Sequence, residues 1–169
     1  MKTSAYLALQ PFGQIPLYRE GDLTLFESGA IVFHIADRHP GLLPTDPDER
    51  ARAVTWMFAA LNTVEPPIVE REVVEYLEHD KPWQGERYVM VDERIRRRLN
   101  QLAAWIGESE WLEGGFSAAD ILMVHVLRRL EGCDILQEFQ KLGAYIARAT
   151  SRPAYKRAFD GQLAVFHRP

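Results

Sequence analysis

The sequence predicts a mainly α protein: a short β-hairpin and one helix (residues 1–40) precede an all-helical region (residues 46–169). Three observations carry this. Gly21 separates two short apolar runs, residues 15–19 and 23–26, as a hairpin turn does. From residue 46 onward apolar residues recur at helical rather than strand spacing. Charge is uneven: the first 46 positions hold only Lys2, Arg19, Glu20, Asp22, Glu27, Asp37, Arg38 and Asp46, and the turn-rich Pro40-Gly41-Leu42-Leu43-Pro44-Thr45 marks the boundary.

Composition narrows the function. The chain has 169 residues, 47% hydrophobic and 26% charged, enough to bury a core without staples. Twenty basic against 24 acidic residues give a net charge of −4, which argues against a nucleic-acid binder. One cysteine excludes a disulfide framework and a Cys-rich zinc site. No apolar run approaches the roughly 18 residues of a membrane helix. Residues 5–9 are too short for the apolar stretch of a secretory leader, so the expected location is the cytoplasm.

The elements follow in order. Glu27-Ser28-Gly29-Ala30-Ile31 opens the first helix, Ile31, His34, Ile35 and Arg38 fall at helical spacing, and Pro40-Gly41 ends it. Asp46 as N-cap, Pro47 at the first helical position and Glu49 three residues after the cap predict a capping box. Val54, Met57, Phe58 and Leu61 continue that helix. Pro66-Pro67 should bend or interrupt it, because proline lacks an N–H and clashes with the preceding turn. Ile68, Val73 and Leu77 carry the pattern towards Asp80, and Lys81-Pro82 stops it. The next helix, about 86–106, has Tyr88, Val91, Ile95, Leu99, Leu102 and Ile106 on one stripe, with Arg94, Arg96, Arg97 and Arg98 on a solvated face. After a turn at 111–116, Ser117-Ala118-Ala119-Asp120 starts the most apolar helix, which shows no polar face except His125 and so belongs in the centre. Helices at 136–150 and 153–159 close the chain.

Several chemistries lack their residues. There is no P-loop, no His-Glu-x-x-His and no i, i+4 pair among the histidines at 34, 39, 79, 125 and 167, so no metal is expected. His125 reads as a core histidine with one hydrogen-bond partner. Cys133 reads as an inert thiol behind a helix C-terminus, whose electronegative end raises a thiol pKa.

Two short constellations remain. In Gly13-Gln14-Ile15-Pro16 the proline suits a strand start or edge. A cis bond there turns the chain sharply and leaves the N–H and C=O of Ile15 free to pair with an extended peptide. In Glu27-Ser28-Gly29-Ala30 a helix N-terminus offers free N–H groups to a carboxylate, Ser28 adds a hydroxyl, and Glu27 accepts from an ammonium group. The set matches an α-amino acid head; it also matches ordinary first-turn capping.

Together, twelve residues apart and ahead of a long helical region, these motifs resemble the glutathione S-transferase family. The resemblance runs through Gln10-Pro11-Phe12-Gly13-Gln14-Ile15-Pro16, then Asp22 to Ile31, Trp56-Met57-Phe58-Ala59-Ala60-Leu61-Asn62, Phe116 to Ile121, and Arg152-Pro153-Ala154-Tyr155. It implies a thioredoxin-like first domain and an all-α second domain. It implies that Pro16 is cis, that Ile15 pairs by backbone with the cysteinyl part of glutathione, that Glu27 and Ser28 hold the γ-glutamyl head, and that Gln14 lies near the glycine end. Ser117 and Asp120 match the family's structural N-capping box. Met57, Phe58 and Leu61 are candidates for the wall of a hydrophobic-substrate pocket, or for plain core.

The pattern departs at the start. The family's first domain opens with a strand–helix–strand unit that carries the catalytic Tyr, Ser or Cys. Such a unit needs roughly 30 residues, and only fifteen precede Pro16. The expectation is therefore an incomplete thioredoxin-like remnant (residues 1–40) before the helical domain (46–169). Glutathione would be the co-substrate and a small electrophile the second substrate. The chain would be a homodimer, with weak or no conjugating activity in the 169-residue form. The alternative is a non-enzymatic glutathione-binding or structural dimer module. The hairpin's open edge should be covered by residues 1–10 or by a partner chain.

Overall fold

The computed structural model describes residues 3–166. A helical turn, α1 (Ser4–Leu7), leads to the hairpin β1 (Leu17–Glu20) and β2 (Leu23–Phe26), then α2 (Ser28–Arg38). The helical part comprises α3 (Pro47–Ala59), a π-turn (Ala60–Val64), α4 (Glu65–Tyr76), α5 (Gln84–Ile106), α6 (Ala118–Arg128), α7 (Asp134–Gln137), α8 (Gln140–Ser151) and α9 (Pro153–Phe166). A two-stranded hairpin and one helix thus precede a helical domain. Among the described residues no helix is long and apolar enough to cross a membrane.

The hairpin pairs Leu17 with Phe26 and Glu20 with Leu23 around Gly21-Asp22. Gly21 has φ +59° while Asp22 has no positive φ, the pattern of a type II′ turn, which matches strand twist. The first strand begins at Leu17, not at residue 15, because Pro16 has no N–H for the ladder. Ahead of the hairpin Phe12 meets Phe26 edge to face at 6.0 Å, and Phe12 stays 68% exposed. Lys2 and His167 lie outside the described residues.

In the helical part, Asp46 Oδ1 accepts from the amides of Asp48 (3.0 Å) and Glu49 (2.9 Å). The return bond from Glu49 is absent among the described residues, so the cap is one-sided. The proline pair neither ends nor breaks the helical run. Pro66 and Pro67 cannot donate to the carbonyls of Asn62 and Thr63, and the backbone widens instead into the π-turn, where the Glu65 amide reaches back five residues to the Ala60 carbonyl. The helix after it buries Ile68 and Val74; it stops at Tyr76, and Leu77 is exposed. On α5 the apolar stripe is buried at Val91, Ile95, Leu99, Leu102 and Ile106, and Tyr88 at its start is half-buried. Two of the arginines beside it form surface ion pairs, Arg94 with Glu70 and Arg96 with both oxygens of Glu138 at 2.8–3.0 Å, and Arg98 donates to Gln101 on the same helix.

Four expectations need correction. His125 is exposed, with Ile121 one turn before it: α6 buries Leu122, Met123, Val126 and Leu127 and gives its Ile121–His125 edge to solvent. Cys133 is half-buried and stands at the N-cap of α7, so the C-terminal environment assumed for it does not exist. The penultimate helical segment is two pieces, α7 and α8. The last helix runs to Phe166, with no buried residue along it.

The core is organised by Asp120, which is fully buried. Its Oδ2 accepts from the Ser117 amide (2.8 Å) and hydroxyl (3.2 Å), and its Oδ1 from the Leu112 amide (3.1 Å) and the Tyr145 hydroxyl (2.8 Å). Ser117 Oγ accepts in turn from the Ala119 amide at 3.2 Å, completing the capping box. Trp111 packs edge-on to Phe116 (4.9 Å) and Tyr145 (6.0 Å) around it. The Ala118 amide donates to the Leu42 carbonyl at 2.8 Å, which ties the interdomain linker to the same helix end. Replacing Asp120 by Ala strands three buried donors (the Leu112 and Ser117 amides and the Tyr145 hydroxyl) and removes a cap, at about 1–3 kcal/mol for each unsatisfied group, so urea unfolding should show a loss of at least ~3 kcal/mol.

Burial, and then the Asp120 charge, push the Tyr145 phenol far above its ordinary value. A raised folded pKa gives stability that is present below the unfolded value of about 10 and is lost as pH rises beyond it. The wild type should lose up to about 1.4 kcal/mol per pH unit above pH 10 from this group, and Tyr145→Phe should lack that slope in urea titrations at pH 9 to 11.

Candidate functional site

The site forms where the hairpin hands over to α2. The ladder ends at the Leu17–Phe26 pair, with Ile15 and Pro16 just before Leu17 and Glu27 and Ser28 just after Phe26, so both motifs stand at one end of the hairpin. The Ile15–Pro16 bond is cis. Ile15 is 72% exposed, and among the described residues no backbone hydrogen bond uses its N–H or C=O. Gln14 is exposed; its carbonyl accepts the Tyr6 hydroxyl at 2.6 Å.

Glu27 has φ 68° and ψ 118°, the only positive φ outside glycine among the described residues. Such a backbone costs of order 1–3 kcal/mol in an L-residue and persists where its surroundings demand it. Its consequence is local: the side chain stands exposed at the helix start rather than folding into a cap. No side chain caps α2. The amides of Ser28, Gly29 and Ala30 therefore remain open donors at the positive end of the helix dipole, and the first intrahelical bond runs from the Ile31 amide to the Glu27 carbonyl at 3.0 Å. The Ser28 hydroxyl lies among them. The arrangement presents donors for a carboxylate, an acceptor for an ammonium group and a free backbone edge for an extended chain.

Beside it lies a cavity of about 460 Å³, walled by Glu27, Gly29 and Phe33 on one side and Met57, Phe58, Leu61 and Asn62 on the other. The three pocket candidates thus share one cavity wall, with different burial. Met57 is a core residue at 3% exposure, Leu61 is half-buried and Phe58 is 62% exposed. Ser117 and Asp120 belong to the core described above, away from this cavity.

Sequence reasoning missed what fastens α2 in place. Glu20 of β1 accepts from Arg38 Nη1 (2.9 Å) and the Tyr18 hydroxyl (3.3 Å) and faces His34 Nε2 at 3.5 Å. The His34 hydrogen bond, then the Arg38 charge, hold the Glu20 carboxyl below its usual range. His34 and Arg38 are therefore the hairpin-facing polar side of α2, while Ile31 and Ala36 are its buried residues. On the other side Arg50 of α3 pairs with Asp37 and lies 5.4 Å from the Phe33 ring centre. The i, i+4 spacing of His34 and Arg38 was the available signal; its partner on β1 is not visible in one dimension.

Comparisons with known proteins agree on one family. The glutathione S-transferase N-terminal domain matches residues 1–37. Glutathione S-transferase F14 of Arabidopsis thaliana is 30% identical over 171 residues, covering 91% of this chain and 66% of that protein. A glutathione S-transferase structure from Pseudomonas fluorescens is 28% identical with a TM-score of 0.79, covering 90% of this chain and 77% of that one. A Burkholderia graminis glutathione transferase holding two glutathione molecules per subunit is 25% identical with a TM-score of 0.83, covering 94% and 72%.

The backbone of Glu27 yields a direct check. Glu27→Gly relieves the positive φ, so thermal or urea unfolding should show a gain of about 1 kcal/mol, while the acceptor at the helix start is lost.

Proposed function

We propose that this chain, which belongs to the glutathione S-transferase family, binds glutathione at the hairpin–α2 junction. The γ-glutamyl carboxylate lies on the open amides of α2 and the Ser28 hydroxyl, and its ammonium on Glu27. The cysteinyl backbone pairs with Ile15 as an added strand, and Gln14 stands near the glycine end. The observation that carries this reading is the uncapped first turn of α2 beside a Glu27 held in a costly backbone conformation. Ordinary capping explains neither.

A small apolar electrophile would occupy the cavity walled by Met57, Phe58 and Leu61. Conjugation requires thiolate, and an unassisted thiol is only a few per cent ionised at pH 7. The residues assigned above hold the glutamyl and backbone parts of glutathione, and none of them is assigned to its sulfur; the Tyr6 hydroxyl donates to the Gln14 carbonyl. In this reading the chain is a glutathione binder with weak conjugating activity. A cytoplasmic location and a homodimer are part of the same reading; the exposed apolar residues Phe12 and Ile15 ahead of the hairpin and Leu23 on it favour the homodimer. In this reading residues 1–40 form the glutathione-binding unit and 46–169 the helical domain.

Titration calorimetry with reduced glutathione should give a saturable heat, and Glu27→Gln or Ser28→Ala should each weaken it about tenfold, the worth of one charge-assisted hydrogen bond. Absence of heat in the wild type contradicts binding. In a conjugation assay with an activated aryl halide the chain should turn over near background; turnover well above background contradicts the weak-activity reading.

A further inference from the structure

Gly29 is the second residue of α2, and nothing in its backbone calls for glycine: it is helical, with no positive φ. Glycine there is unfavourable relative to alanine, which makes its presence informative. A Cβ built on Gly29 would stand 2.8 Å from Leu61 Cδ1, closer than real Cβ atoms come to a neighbour. A methyl group at position 29 therefore makes either the end of the Leu61 side chain or the first turn of α2 give way.

Leu61 is where it is because of the two prolines. The π-turn they impose holds Leu61 between α3 and α4, half-buried and packed against the main core. One side of Leu61 meets Gly29, and the same residue lines the cavity beside Glu27. Gly29 contributes one of the three open amides at the helix start.

We propose that Leu61 is a positioning residue for the glutathione site: through its contact with Gly29 it seats the first turn of α2 and fixes where the Ser28–Ala30 amides stand. The inference rests on the glutathione reading above. A methyl group at position 29 pushes the first turn and the Leu61 side chain apart, and truncating Leu61 makes room for that methyl.

The test is a double-variant cycle on the full chain with Gly29→Ala, Leu61→Ala and the pair together. Glutathione Kd is read by calorimetry, and amide hydrogen exchange is read at Ile31, the first bonded amide of α2. Gly29→Ala should weaken glutathione at least tenfold and speed Ile31 exchange, with a melting temperature within a few degrees of wild type. The pair should recover most of both losses, binding tighter than Gly29→Ala alone. A Gly29→Ala variant that binds like wild type, or a pair no tighter than Gly29→Ala, overturns the proposal. If the wild type itself gives no heat, the glutathione reading fails. Ile31 exchange then decides the contact separately: acceleration in Gly29→Ala and recovery in the pair keep Leu61 as the seat of α2, and no change removes it.

Discussion

A single buried carboxylate sets the geometry of this chain. Asp120 has no access to water, so each of its lone pairs must be met from within, and the donors that meet it come from three places: the turn before α6, the α6 cap and α8. Satisfying one group fixes where α6 starts, how the 111–117 turn folds and how α8 lies. The next amide, Ala118, then holds the linker at Leu42. The linker that follows α2 is thus held by the polar node of the helical domain, while α2 itself is fastened to the hairpin through Glu20 and to α3 through Arg50.

Local rules fail in one neighbourhood. Glu27 takes a backbone that suits glycine, Gly29 takes a helical position that suits alanine, and the helix run widens at Ala60–Val64. All three border the same cavity. The hairpin turn, the one-sided cap at Asp46, the stripe of α5 and the capping box of α6 are by contrast each what their residues favour. Three such conflicts gathered around one cavity are what a binding site built at a cost in stability produces.

That contrast also explains what could be read in the sequence. Features set by neighbours along the chain were legible: the Gly21 turn, the Ser117–Asp120 box and the Val91 to Ile106 stripe. Glu27 and Ser28 were legible as chemistry, although their uncapped geometry was not. Features set by contacts between distant segments were hidden. Glu20 and Arg38 are 18 positions apart and meet only when α2 folds over β1. His125 sits in an apolar run whose exposed edge depends on which helices pack against α6. The proline pair signalled a disturbance, and only the backbone hydrogen bonds show that it is a widened turn rather than a break.

The central claim is that one hairpin end assembles the free edge of Ile15 and the open amides of α2 into a single peptide-binding site. Amide chemical-shift mapping during a titration with reduced glutathione tests it most directly. Ile15, Ser28, Gly29 and Ala30 should shift together and saturate at one common concentration, with α9 and the Asp120 node unchanged. Shifts that cluster away from the hairpin–α2 junction, or Ile15 and Ser28 saturating at unrelated concentrations, would contradict it.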